Sequence, residues 1–286
     1  MPGASPGAVV VGVVLAAAVA HAGWNLLAKT MDDQLVAFWL INLAALLCGA
    51  GLLAVAGAPA GAALPYLATS VVLHLAYNTA LLNSYRFGDL SRVYPLARGI
   101  APLVVTAGAA VLAGESLSGP QLVGVAVVAG GVASMVYLGG SGAAPQDRRA
   151  VALAVCTGLL IAAYSLSDGL GVRRSADPFG YSGLLFVLES AMTVAGLAAR
   201  RRRLLPARPE RSWLLGLAGG VLSVGAYSGV LWAQTRLALG LVSALRETSV
   251  VVAALFGTVV LHEGSGRRRL LAAAVVCAGV ALLVVA

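Results

Sequence analysis

The chain has 286 residues, 60% of them hydrophobic and 10% charged, with a mean hydropathy of +0.93. A soluble domain carries about 25% charged residues, so the polar side chains here are too few to cover a water-facing globule. The 35 glycines lie inside apolar runs without a three-residue period, which excludes collagen and disorder. Cys48, Cys156 and Cys277 each stand alone in an apolar stretch. They read as buried thiols, with no disulfide, no metal site and no cofactor implied. What remains is an all-α polytopic membrane protein. Its net charge of +8 comes from 19 basic residues, of which only Lys29 is a lysine. Most of the arginines fall between apolar runs, where they act as topology signals and not as a nucleic-acid surface.

In chain order the apolar runs predict ten spans, over 7–28, 34–56, 63–85, 91–113, 120–139, 150–171, 179–199, 212–234, 240–261 and 269–286. A helix needs about 20 residues to cross the hydrocarbon, so ten spans use most of the chain and leave no soluble domain. The runs are continuously apolar, which favours helices over barrel strands. The joints carry breakers: Ala58-Pro59, Gly119-Pro120, Asp177-Pro178 and the Pro206/Pro209 pair. No basic residue precedes the first run, so it is expected to stay as a span and not to be cleaved as a signal peptide. Ala129/Ala133 in the fifth span and Ala274/Ala278 in the tenth suit close helix packing, within the chain or in a homodimer.

The halves repeat. At an offset of 140, Ala22-Gly23-Trp24-Asn25-Leu26 matches Ala162-Ala163-Tyr164-Ser165-Leu166. At 150, Ala76-Tyr77-Asn78 matches Ala226-Tyr227-Ser228 and Arg86 matches Arg236; at 148, Arg98 matches Arg246 and Glu115 matches Glu263. The common order of these matches predicts two five-helix repeats, 1–140 and 150–286. Five is odd, so the second copy enters the membrane inverted. Inverted repeats place a solute site near the midplane between the copies. The positive-inside rule, applied to the arginine-rich odd-numbered connections, puts both termini outside.

Charges inside spans cost about 2.5–3.5 kcal/mol on insertion scales and need a partner or a wet cavity. Arg98 and Arg246 lie well inside spans and are repeat mates. They are expected to face one pathway, or else to be paired with a carboxylate such as Glu247. Pro102 removes the bond to the carbonyl of Arg98, and Pro95 does the same at Ser91. The fourth span is therefore expected to be kinked or partly unwound beside the guanidinium.

Other polar residues share faces. His21, Trp24 and Asn25 follow i, i+3, i+4 spacing; their mates are Tyr164, Ser165 and Asp168. His74, Tyr77 and Asn78 mark the third span, and Tyr227 marks the eighth. Aromatic rings beside amides and hydroxyls suit a solute pocket, or else anchoring at the headgroup level. His21 and His74 are candidates to relay a proton or simply to be hydrogen-bonded. Glu189, alone along the seventh span, is a candidate for proton coupling or a counter-ion to arginine. Asp168 lies near a span end, where water is within reach.

The ordered set His21-Ala22-Gly23-Trp24-Asn25, Gly88-Asp89-Leu90-Ser91, Tyr94-Pro95-Leu96-Ala97-Arg98-Gly99, Gly114-Glu115, Asp168-Gly169-Leu170-Gly171-Val172-Arg173 and Leu245-Arg246-Glu247-Thr248-Ser249 resembles the drug/metabolite transporter (DMT) superfamily, EamA-like family. The likeness implies ten helices in two repeats around a central cavity lined by helices one, three, four, six, eight and nine. It adds Tyr94 to the candidates for solute contact. It also implies export or exchange of small metabolites, often amino-acid-like, without ATP, and both termini in the cytoplasm. That orientation opposes the arginine count.

The sequence is thus expected to encode a secondary transporter in the cell membrane that exports a small polar metabolite, amino-acid-like or an organic anion. An intramembrane enzyme and a non-transporting scaffold are the alternatives. Against the enzyme, no H-E-x-x-H, G-x-S-x-G or G-x-x-x-x-G-K-[ST] string occurs, and the three histidines belong to three spans.

Overall fold

The structure is a computed structural model that describes residues 6–84, 90–138, 148–200, 209–259 and 266–286. Among these residues there is no strand. The helices are α1 (Pro6–Lys29), α2 (Gln34–Ala56), α3 (Leu64–Ser84), α4 (Leu90–Ala113), α5 (Gly119–Leu138), α6 (Arg148–Val172), α7 (Pro178–Arg200), α8 (Pro209–Gln234), α9 (Leu239–Arg246), α10 (Thr248–Val259) and α11 (Gly266–Val285). A single 3-10 turn, Gly61–Ala63, precedes α3. Six of the helices (α1, α2, α4, α6, α7 and α8) contain stretches long and apolar enough to cross a membrane.

Local chemistry explains where several helices start and stop. Asp33 caps α2, its Oδ1 accepting from the backbone N–H groups of Leu35 (2.9 Å) and Val36 (3.2 Å). Asp177 caps α7 in the same way, accepting from Phe179 (2.7 Å) and Gly180 (3.2 Å), with Pro178 at the first helical position, where its missing N–H costs nothing. Before α5, Ser118 and Gln121 form a reciprocal capping box: the Gln121 N–H donates to Ser118 Oγ and the Ser118 N–H to Gln121 Oε1. Gly57 and Gly114, at φ +80° and +65°, end α2 and α4 in conformations that side chains with a Cβ disfavour.

The main packing pairs are α1 on α8, α3 on α6, α2 on α7, α5 on α11, and α4 between α5 and α6. Small residues set the spacing. A Cβ on Gly99 would meet the Ala129 carbonyl oxygen at 2.9 Å, and one on Gly158 would meet that of Ala97 at 2.7 Å. Hence α4 lies close against both neighbours. The perimeter is apolar: Val55, Val111 and Leu214 are among the exposed side chains, as a lipid-facing surface requires.

Four expectations change. The fourth span is not unwound: it runs as one helix, Leu90–Ala113, through Pro102, and the Thr106 hydroxyl donates to the Pro102 carbonyl. The interruption falls instead in the ninth span, where Glu247 alone separates α9 from α10. Cys156 and Cys277 are exposed on the bundle surface and Cys48 is half-buried, so none is a core thiol. The α5–α11 contact runs through Gly124, Gly131, Gly279 and Val276, while Ala274 and Ala278 point outward.

The close α4–α6 approach yields a test. Gly158→Val should lower stability by roughly 1–3 kcal/mol through overpacking, read as a fall in Tm of the purified protein in detergent. Gly51→Ala, with no atom within 4 Å of its new Cβ, should leave Tm unchanged or slightly raised.

Candidate functional site

Helices α1, α4, α8 and α9 meet at a cavity of about 10 Å³ whose polar lining is His21, Arg98, Tyr227 and Arg246. Ala17, Ala18 and Ala226 keep its other walls small. That volume holds roughly one water molecule.

Both arginines that the cost of burial singles out therefore reach one place. Arg98 is 4% exposed and Arg246 8%. Arg98 Nε donates to Glu247 Oε2 at 3.1 Å, and Nη2 donates to Ser249 Oγ at 3.1 Å. Glu247 presents its carboxylate from the break between α9 and α10. There the backbone tightens: the Glu247 N–H donates to the Ala244 carbonyl three residues back, and the Val250 N–H to that of Glu247. The Thr248 hydroxyl donates to Leu245 O. The interrupted turn thus keeps its backbone groups satisfied, as a membrane interior demands. Arg246 is different. Its guanidinium lies over the Tyr227 ring at 5.3 Å, and it has no carboxylate within 4 Å among the described residues. Two cations and one anion leave a surplus positive charge at the cavity.

His21 accepts at Nδ1 from Trp24 Nε1 (3.3 Å), and Asn25 Nδ2 donates to the His21 carbonyl (2.8 Å). A neutral His21 ring therefore carries its proton on Nε2. His21 lines the cavity, whereas Trp24 and Asn25 brace it from the next turn. An aromatic cluster adjoins the cavity. His74 stacks on Tyr164 at 3.9 Å, with Tyr77 and Tyr227 edge-on to Tyr164 and Phe186 edge-on to Tyr227. His74 Nδ1 lies 3.0 Å from the Ser70 carbonyl and 3.1 Å from the Ser70 hydroxyl. Glu189, expected to stand alone, accepts from Asn78 Nδ2 at 3.4 Å.

Asp168 corrects its expectation of nearby water: it is fully buried. Tyr181 donates to its Oδ1 at 3.0 Å and Tyr227 to its Oδ2. Tyr227 therefore touches both Arg246 and Asp168. Tyr94 and Pro95 have side chains outside the described residues, and Pro102 lies in α4 without a break.

Sequence reasoning missed two groups. Tyr181 sits one turn into α7, and nothing in its local pattern points to Asp168. Glu115 and Arg173 form an ion pair at the end of the bundle where α4, α6 and α8 finish and α9 begins. Glu115 Oε2 also accepts from the first N–H of α9, at Leu239 (2.7 Å). Arg173 donates to the carbonyls of Gln234 (2.7 Å) and Leu237 (2.8 Å). Beside it Arg174 lies over the Tyr66 ring at 4.7 Å. Three connections are tied at that end. The sequence signals were the repeat match of Glu115 to Glu263 and the quoted strings holding Glu115 and Arg173, neither of which paired the two residues.

The buried pair predicts strong non-additivity. Glu247→Ala should destabilise by about 3–5 kcal/mol by stranding the Arg98 charge, whereas Arg98→Met combined with Glu247→Leu should recover most of that loss. A double-mutant cycle by thermal unfolding in detergent measures this; additive losses would contradict the ion-pair account.

No curated protein matches this chain. A solved chain, described only as a crystal structure of a protein, superposes with a TM-score of 0.76 over 96% of each chain at 16% identity; this likeness shows the fold alone. The model of the EamA-like transporter family matches residues 148–285. That likeness covers just under half of the chain, and together with the apolar helices it supports a multi-pass membrane protein.

Proposed function

We propose that the protein is a secondary transporter, exporting a small polar metabolite, amino-acid-like or an organic anion, across the cell membrane by alternating access. The observation that carries this reading is Arg246: a buried guanidinium that faces a central cavity without a carboxylate of its own. A solute carboxylate supplies the missing counter-charge, and Arg98, already matched by Glu247, offers its second contact by partial exchange of partners. The ring of Tyr227 and the neighbouring cluster of His74, Tyr77 and Tyr164 give the solute an apolar wall. Among the other candidates, Trp24, Asn25 and Asn78 orient the lining, while Glu189, Asp168 and His21 are the groups for ion coupling.

Two features support the duplicated, inverted arrangement and ten crossings. The packing pairs α1–α8 and α3–α6 exchange with each other when the halves are swapped, and α2–α7 and α5–α11 map onto themselves. The break at Glu247 fits the discontinuous helices that line midplane sites in carriers built this way. In the present conformation the Glu115–Arg173 tie closes one end of the bundle; opening at that end requires those bonds to part.

Flux into proteoliposomes tests the reading. Arg246→Gln should lower flux at least about tenfold, the loss of one charge-assisted hydrogen bond, with Tm little changed. Normal flux in that variant would remove Arg246 from the site. In a background lacking the three native cysteines, Arg173→Gln should raise labelling of Ala18→Cys by a membrane-impermeant maleimide added from the Glu115 side. Unchanged labelling would deny the tie its closing role.

A further inference from the structure

Asp168 is the one described carboxylate that is fully buried and lacks a cation. Its oxygens are each met by a phenol, Tyr181 at Oδ1 and Tyr227 at Oδ2. No ion pair reaches it among the described residues. On α4 and α9–α10, Arg98 is paired with Glu247, and Arg246 lies over the Tyr227 ring. At the end of α6, Arg173 is paired with Glu115 and Arg174 lies over Tyr66 of α3. On α3, His74 is held by Ser70; on α7, Glu189 is met by Asn78. Two further buried oxygens beside this turn, Ser165 Oγ and Gln234 Oε1, have no hydrogen-bond partner, although the Gln234 amide nitrogen reaches the Ser165 carbonyl at 3.5 Å. Asp168 thus sits in a buried polar cluster, held by two hydroxyls and with no cation of its own among the described residues.

We propose that Asp168 is a proton-binding site, and that Tyr227 carries its protonation state to the cavity. The chemistry favours a proton over a metal cation. Both carboxylate oxygens already face hydroxyl hydrogens, so a cation needs both phenols to turn away. A proton needs only one to do so. It passes from cavity water to Oδ2, leaving hydroxide or water behind, and the Tyr227 hydroxyl turns from donor to acceptor. A charge-assisted bond becomes a neutral one of roughly half the strength, and the ring that carries Arg246 loses its fixed support. Neutralising Asp168 also removes a negative charge near Arg246, so proton binding and anion binding reinforce each other, each by the same factor. The coupling role rests on the carrier reading; proton binding itself does not.

The test uses the purified full chain in lipid nanodiscs with no solute present. Infrared difference spectra are taken between about pH 4 and about pH 9, a range that brackets ordinary carboxyl titration. The wild-type chain should gain a protonated-carboxyl band on acidification that Asp168→Asn lacks. Tyr227→Phe and Tyr181→Phe should each raise proton affinity about tenfold, because each removes a bond to the charged form. Identical bands in wild type and Asp168→Asn would overturn the proposal. So would a band change that follows sodium concentration and not pH. If Asp168→Asn fails to fold, an unshifted midpoint in Tyr227→Phe overturns it equally. Absence of flux for every solute would sink the carrier reading and leave these spectra intact. Flux whose pH profile is the same in Asp168→Asn and wild type would remove the coupling role alone.

Discussion

A guanidinium in the middle of a lipid-embedded bundle has to be compensated by protein, and most of the central architecture follows from that demand. Arg98 can stay on α4 because Glu247 and Ser249 reach it from the turn between α9 and α10. At Glu247 the ninth span tightens into three-residue hydrogen bonds, and from there the carboxylate reaches Arg98. The tight seat of α4 between α5 and α6, permitted by Gly99 and Gly158, keeps Arg98 within reach. The break, the close packing and the ion pair form one connected arrangement.

Arg246 stands on the same turn with an aromatic face in place of an anion. The difference between the two arginines is therefore chemical: Arg98 is paired with a carboxylate, and Arg246 has none within 4 Å among the described residues. Tyr227 joins this unsatisfied cation to a carboxylate buried away from the cavity. A single ring thus belongs to two polar clusters that would otherwise be separate.

Much of this was legible in the residues. The expense of a charge in hydrocarbon identified Arg98 and Arg246 from their positions alone, and Glu247 was visible as the neighbouring carboxylate. The caps Asp33 and Asp177 sit where the joints were placed. The break in the ninth span was not legible, because no proline or glycine marks Glu247. Conversely, Pro102 marked a partial unwinding that α4, continuous over Leu90–Ala113, does not make. Asp168 looked solvated because linear distance from a span end says nothing about what a neighbouring helix covers. The partner that covers it, Tyr181, comes from another helix. The same holds for Asn78 and Glu189, whose contact joins residues of α3 and α7.

The outward-facing thiols have a practical meaning. Cys277 lies on α11, which with α5 forms a pair on the flank that contributes nothing to the polar lining, while Cys156 lies on α6, the helix that carries Asp168. One thiol is mounted on a passive strut and the other on an element tied to the ionisable core. With Cys48 replaced, spin labels on this native couple would form a molecular ruler for rearrangements of the bundle, with no new attachment site engineered near the chemistry.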